Sequence, residues 1–204
     1  KCHKYRNTTI NKYFEFLGWF LRWAAENGML IHREVLKFNT CLKEIPTPVS
    51  FLNIEELMQF YNYQYPKKDG ILELSRDMFC FMAFTSIRYS DLKSLCWSDI
   101  HGKIMEIVTE KTDERLQIEL NDYALEILKK YKKMKQKGNH VFPPLSNQKL
   151  NSHLKEAALL AQLTKTWVDE YYIGNDRIRE EYKFYQIISS HDGRRTFICC
   201  SLAF

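Results

Sequence analysis

A chain of 204 residues, 45% hydrophobic, 27% charged and 14% aromatic, has an ordinary globular composition, with room for one large domain or one domain and a smaller piece. Its 30 Lys and Arg against 25 Asp and Glu leave a net charge of +5, a mild basic excess that suits a nucleic-acid partner without demonstrating one. No apolar run reaches bilayer-spanning length, no signal-peptide pattern opens the chain, and the six cysteines have neither zinc-type spacing nor disulfide-scaffold density.

The pattern predicts a helix from Asn11 to Glu26, with Ile10, Phe14, Leu17, Leu21 and Ala24 or Ala25 on its apolar face. Gly28 stands where a left-handed C-terminal cap belongs. Lys4, Arg6, Lys12 and Arg22 outnumber Glu15 there, which fits either a solvated face or contacts to DNA phosphates. A second short helix is expected around Val35 to Phe38. This piece is too small to hold a core alone and reads as the last part of an N-terminal domain.

Two prolines in Lys43-Glu44-Ile45-Pro46-Thr47-Pro48 forbid a helix and mark a linker over residues 44–53, so the expected domains are 1–43 and 54–204. Asn53 and Glu56 have capping-box spacing for a helix running to about Tyr65. A mostly apolar helix follows over Ile71 to Phe84, with Leu74, Met78, Phe81 and Met82 as core candidates. It delivers Arg88 just past its end, and Ser90 is placed to cap a short helix from Asp91 to Leu95.

From Lys103 to Leu120 the period changes to two. Met105, Ile107 and Thr109 alternate with Ile104, Glu106 and Val108, and the polar turn Lys111-Thr112-Asp113-Glu114 separates them from a second such run, predicting a hairpin. Asn121 caps a helix to about Gln136, whose end carries Lys129, Lys130, Lys132, Lys133, Lys135 and Lys137. Such a run is a solvated face that suits the helix dipole, or a contact to DNA backbone. Ser146 starts a helix to about Gln162. Trp167–Tyr172 and Arg177–Phe184 form a second hairpin around Gly174-Asn175, and the chain is helical again from His191. Cys80, Cys96, Cys199 and Cys200, in apolar or helical contexts, are expected to be buried free thiols of a reducing cytoplasm. The chain starts at Lys1 rather than Met and ends in an apolar run without a stop signal, so a fragment of a longer protein is expected.

The chemistry concentrates in Ser189-Ser190-His191-Asp192-Gly193-Arg194-Arg195-Thr196-Phe197. On a helix, His191 and Arg194 share a face. With Arg88 and Lys111 they make a set suited to a phosphate diester, because arginine forks bind phosphate oxygens bidentately. Taken singly, an arginine at a helix end is a surface or dipole partner, a lysine in a hairpin turn is solvated, and a lone His-x-x-Arg arises by chance.

In order, however, these landmarks resemble the tyrosine recombinases, the integrase family of phages and mobile elements. Thr85-Ser86-Ile87-Arg88-Tyr89-Ser90-Asp91-Leu92 looks like that family's first arginine box, Lys111-Thr112 its catalytic lysine, and His191-Asp192-Gly193-Arg194-Arg195 its His-x-x-Arg box. Trp19-Phe20-Leu21-Arg22-Trp23-Ala24 looks like the last helix of its core-binding domain. Ser86 stands for the usual Gly, Gly193 for a usual Leu and Arg195 for a frequent second His. The branch that looks most similar belongs to bacterial conjugative and mobilisable transposons. The resemblance implies a mainly helical (α+β) catalytic domain with a small antiparallel sheet, preceded by part of a SAM-like helical core-binding domain. It implies site-specific DNA cleavage and rejoining through a 3′-phosphotyrosyl link, without metal or other cofactor, by a bacterial cytoplasmic, nucleoid-associated protein that assembles as a tetramer on duplex DNA and contacts no membrane. Arg88, Lys111, His191 and Arg194 would be catalytic, and Asp91, three after Arg88, would orient that arginine or His191. Lys12, Arg22, Lys132, Lys133 and Arg195 would contact DNA, and Lys103 is the rival to Lys111. No tyrosine follows the His-x-x-Arg box, so the nucleophile is expected beyond Phe204; Tyr182 and Tyr185 read as hairpin residues. A non-catalytic DNA-binding accessory factor on the same scaffold is the alternative, and a helical interaction domain a more distant one.

Overall fold

The structure, a computed structural model, describes residues 5–29, 32–37, 41–133 and 139–202, with only the backbone at Arg33. It divides into two compact units, Lys1–Pro48 with Val168–Glu181, and Val49–Trp167 with Tyr182–Phe204.

The first unit contains helix α1 (Asn7–Glu26) and helix α2 (Arg33–Lys37). Helix α1 starts four residues before the predicted Asn11 because its first residue is held from outside the helix. The buried Asn7 amide donates to the carbonyls of Lys43 (3.0 Å) and Gly174 (2.9 Å), and its oxygen accepts from the Gly174 N–H (2.8 Å). Beside it, the Arg6 guanidinium lies 2.8 Å from the Asp169 carboxylate and 3.5 Å above the Tyr171 ring. At the other end Gly28 takes φ +81°, and the N–H groups of Gly28 and Met29 bond back to Ala25 and Ala24, the paired closure of a Schellman cap. On the predicted apolar face only Ala24 is buried; Phe14 and Leu17 are exposed. The Phe38 end of the expected second helix and Lys4 lie outside the described residues.

The second unit opens with an extended segment, as the prolines require, and then α3 (Ile54–Asn62), where both halves of the Asn53–Glu56 capping box form at 2.7 and 2.9 Å. Helix α4 (Gly70–Thr85) runs through the middle of the unit and packs against three longer-range partners, α6 (Asp122–Lys132), α7 (Asn147–Leu160) and α9 (Ser190–Leu202), as well as α3. Phe79 meets Phe60 edge to face at 5.6 Å, and Phe81 meets Phe142 at 5.5 Å. Helix α5 (Tyr89–Ser94) follows. A three-stranded antiparallel sheet of β1 (Ile100–His101), β2 (Ile104–Val108) and β3 (Arg115–Glu119) covers one side, with Met105 opposite Ile118 and Ile107 opposite Leu116. Met105, Ile107 and Thr109 face inward and Ile104 and Val108 outward, as the alternation predicts. Most of a second pair of strands, β4 (Thr166–Ile173) and β5 (Asp176–Lys183), which turns at Gly174 (φ +62°), belongs to the first unit; from Tyr182 the chain is again in the second, where a single-turn helix, α8 (Phe184–Ile187), leads to α9. Tyr182 lies in β5 and Tyr185 in α8.

Three local expectations differ. Helix α3 stops at Asn62, not Tyr65, because the buried Arg76 guanidinium takes the carbonyls of Phe60, Tyr61 and Tyr63 that a continuing helix would use. Lys130, one of the run expected to be solvated, reaches Glu73 (2.5 Å) and Asp77 (2.6 Å) instead. Of the described cysteines, all free, only Cys80 is buried; Cys41 is exposed and Cys96, Cys199 and Cys200 are half-buried. Lys135, Gln136 and Lys137 lie outside the described residues. No helix among the described residues is long and apolar enough to cross a membrane.

Candidate functional site

The site grows from the end of α4. Ser86 closes that helix in the left-handed conformation (φ 59°, ψ 11°), its N–H bonded to Met82 O at 2.9 Å. Glycine adopts this conformation without the crowding a Cβ brings, so a serine here is held against a local preference. The turn it makes buries Ile87 and places Arg88 at the N-cap of α5, rather than Ser90 as expected.

Asp91, buried in the first turn of α5, accepts the Glu110 backbone N–H at 3.2 Å through its Oδ1. That bond fastens the β2–β3 turn beside α5, and the turn is also tied internally. Thr109 N–H donates to Glu114 O (3.0 Å), Asp113 N–H to Thr109 O (3.0 Å), and the Thr109 and Thr112 hydroxyls lie 2.7 Å apart. Lys111 is exposed at the tip of this anchored turn. Its rival Lys103, before β2, has its ammonium 4.0 Å from Asp122.

Helix α9 brings the other half. Its start is fixed by Ser190, whose N–H donates to Asn151 (2.8 Å) and whose hydroxyl donates to Asn147 (2.7 Å) on α7. Gly193 lets α9 approach α4 closely: a Cβ at that position would lie 3.0 Å from Phe79 O and 3.2 Å from Met82 Cβ. That contact explains why a glycine serves where the resemblance expects leucine. Arg194 Nη1 donates to Ser86 O at 2.8 Å, directly joining α9 to the turn that carries Arg88. The Arg194 guanidinium is pushed below the usual arginine value, first by burial and then by the like charge of Arg88, while Asp91 pulls the other way.

Arg88, Asp91, Arg194 and the root of the Lys111 turn are therefore neighbours, and His191 lies one helical turn before Arg194 on the same face. Among the described residues, the side chains of Arg88, Lys111 and His191 make no hydrogen bond, and neither Arg88 nor Arg194 has a carboxylate within ion-pair distance. Lys132 and Lys133 are exposed at the end of α6, and Lys12 and Arg22 are exposed on α1 in the first unit. Arg195 is engaged, its Nη1 3.1 Å from both the Asp192 carboxylate and the Ser50 hydroxyl.

Sequence reasoning missed Asp192. Its Oδ2 accepts both the N–H and the hydroxyl of Ser189 at 2.8 Å, a capping arrangement that the Ser189-x-x-Asp192 spacing ahead of a helix signals.

A mainly helical unit with a small antiparallel sheet resembles the tyrosine recombinase catalytic domain in architecture. The chain belongs to the phage integrase family, whose profile matches residues 49–198. In fold it is similar to lambda integrase in a tetramer bound to a Holliday junction (TM-score 0.60, 19% identity), covering 90% of this chain and 51% of that one. The lambda integrase catalytic core gives a TM-score of 0.52 at 18% identity over 76% of this chain and 84% of that one. XerH site-specific recombinase bound to its difH substrate gives 0.50 at 17% identity, over 76% and 43%. The chain thus spans about half the length of the lambda integrase it matches. Comparison with curated proteins by sequence found no match.

Proposed function

We propose that this chain carries the phosphate-binding half of a site-specific DNA recombinase, one that cleaves and rejoins strands through a 3′-phosphotyrosyl intermediate. The observation that carries the reading is the convergence of Arg88 and Arg194: Arg194 Nη1 binds the Ser86 carbonyl at 2.8 Å, two residues before Arg88, and neither half-buried arginine has a carboxylate within ion-pair distance. Like charges withdrawn partly from water are costly unless an anion joins them, and a diester phosphate supplies that anion.

In this reading Arg88 and Arg194 hold the non-bridging oxygens as charge builds on them, a contribution of about 10²- to 10³-fold in rate for one preorganised donor. Asp91, three after Arg88, fastens the base of the β2–β3 turn through the Glu110 N–H and orients Arg88 or His191. Lys111, on that turn, gives a proton to the leaving 5′ oxygen, and His191 hydrogen-bonds the phosphate or shuttles a proton. The last tyrosine of the chain is Tyr185, ahead of the box, so the nucleophile is assigned to a segment beyond residue 204, in a longer protein. The lambda integrase tetramer on a Holliday junction supports a tetrameric assembly on DNA. Membership of the conjugative-transposon branch and a bacterial cytoplasmic, nucleoid-associated setting are parts of the same proposal, as are domains divided at residues 44–53 and phosphate contacts by Lys12, Arg22, Lys132, Lys133 and Arg195.

The test is duplex binding by the 204-residue chain across a salt series. Binding should weaken with salt, and Arg88→Ala and Arg194→Ala should each reduce the log-log slope by about 0.9. The chain should bind a nicked suicide duplex without becoming covalently attached. Salt-independent binding, or arginine variants that behave like wild type, would sink the reading.

A further inference from the structure

Asp192 lies between two residues of the proposed site, yet it points away from it. Its carboxylate is 1% exposed and every contact it makes is internal. While Oδ2 holds Ser189, Oδ1 accepts from the Ser50 hydroxyl at 2.5 Å and from Arg195 Nη1 at 3.1 Å. Arg195 Nη1 donates to the Ser50 hydroxyl as well, at 3.1 Å. Two residues on, Leu52 N–H donates to the Thr196 hydroxyl (3.0 Å), and the Cys200 thiol lies 3.5 Å from Leu52 O.

Residues 192, 195, 196 and 200 share one face of α9. Along that face runs Ser50–Leu52, near the start of the second unit after the Pro46-Thr47-Pro48 segment. The far side of the helix presents His191 and Arg194, and Gly193 sets its close contact with α4. Helix α9 is thus clamped between α4 and the segment that enters the unit. Asp192, one residue after His191 and two before Arg194, makes the bonds that tie the first turn of α9 to Ser50.

We propose that Asp192 is a positioning residue for the arginine pair. By tying the first turn of α9 to Ser50 it sets where Arg194 and His191 meet a phosphate, and it makes the course of the entering segment part of the site. Misplacement by about 1 Å is enough to disable such a constellation. The proposal rests on the phosphate-site reading above.

Duplex affinity of the 204-residue chain, measured by fluorescence anisotropy across a salt series well below each variant's melting temperature, separates the possibilities. Asp192→Asn should weaken binding as much as Arg194→Ala does, and lower the slope by the same amount, about 0.9. The double variant should be no weaker than Arg194→Ala alone, because both act on one contact. Ser50→Ala, which removes a single hydroxyl, should weaken binding about threefold, and Ser50→Thr should restore it. Asp192→Asn that melts early but binds with wild-type affinity and slope is structural only, and the proposal falls. Tighter binding by Asp192→Asn would mean that the carboxylate merely neutralises Arg195, and it overturns the proposal equally. If Asp192→Asn does not fold, the Ser50 pair decides: wild-type binding by Ser50→Ala defeats the idea. Should Arg194→Ala bind like wild type, the phosphate-site reading itself fails and this inference goes with it, an outcome distinct from failure of the Asp192 arm alone.

Discussion

Helices α1 and α4 are both rich in aromatic and aliphatic residues, yet folding treats them oppositely. Of the sixteen residues of α4, thirteen are buried; of the twenty in α1, two are. Helix α4 even buries charge: Arg76 and Asp77 are enclosed together, with Lys130 and the Tyr131 hydroxyl (2.8 Å) closing the group around Asp77. Helix α1 instead leaves Phe16, Trp19, Phe20 and Trp23 exposed at i, i+3, i+4 and i+7. A helix apolar on all sides belongs in an interior. The difference teaches that apolar content does not place a helix: α4 is central because helices on several sides meet it and supply partners for its polar groups.

Removing that supply is the most damaging test of the contrast. Asp77→Ala strips Arg76, Lys130 and Tyr131 of a shared partner and leaves uncompensated buried charge, a loss of about 3–5 kcal/mol. Urea unfolding followed by circular dichroism measures it. A loss below about 1 kcal/mol would mean that water reaches this stretch of α4 as it reaches α1.

A gentler probe is the Tyr131 hydroxyl, whose pKa is raised first by burial and next by the charge of Asp77. Tyr61 and Tyr65 shift the same way, chiefly through burial. The folded chain keeps these protons at a pH where the unfolded chain releases them. Their contribution is therefore fully present below about pH 10 and is lost as pH climbs further, toward the folded-state values. Tyr131→Phe should cost about 1 kcal/mol at neutral pH through the lost bond to Asp77. It should also flatten the fall in melting temperature between about pH 9 and pH 11. An unchanged alkaline slope would place that hydroxyl in water.

The features legible in sequence are those closed within a few residues. The Asn53–Glu56 box, the Asn121 and Ser146 caps, the left-handed Gly28 and the alternation of β2 all form as read. Features closed from a distance were not legible. The end of α3 is decided by Arg76 and the start of α1 by the Gly174 and Lys43 backbones, groups that no local window contains. The same limit governs the candidate site. The helical spacing of His191 and Arg194 is local, but the approach of Arg88 to Arg194 runs through the Ser86 carbonyl, 108 residues away in sequence, and only family resemblance anticipated it. Ser50 and Asp192 are 142 apart, and no resemblance flagged them.

The smallest expected effect bears most directly on the contrast between the helices. Trp19 and Trp23 are 68% and 47% exposed, so little apolar surface leaves water when α1 forms around them. Trp19→Ser and Trp23→Ser should each change unfolding free energy by no more than about 0.5 kcal/mol, far below the Asp77 variant. Acrylamide should quench these two tryptophans more readily than the half-buried Trp97 and Trp167. A cost of about 2 kcal/mol or more from either substitution would match removal of a buried side chain. It would place the aromatic stripe of α1 under cover in solution, and the two helices would then differ in their partners rather than in their burial.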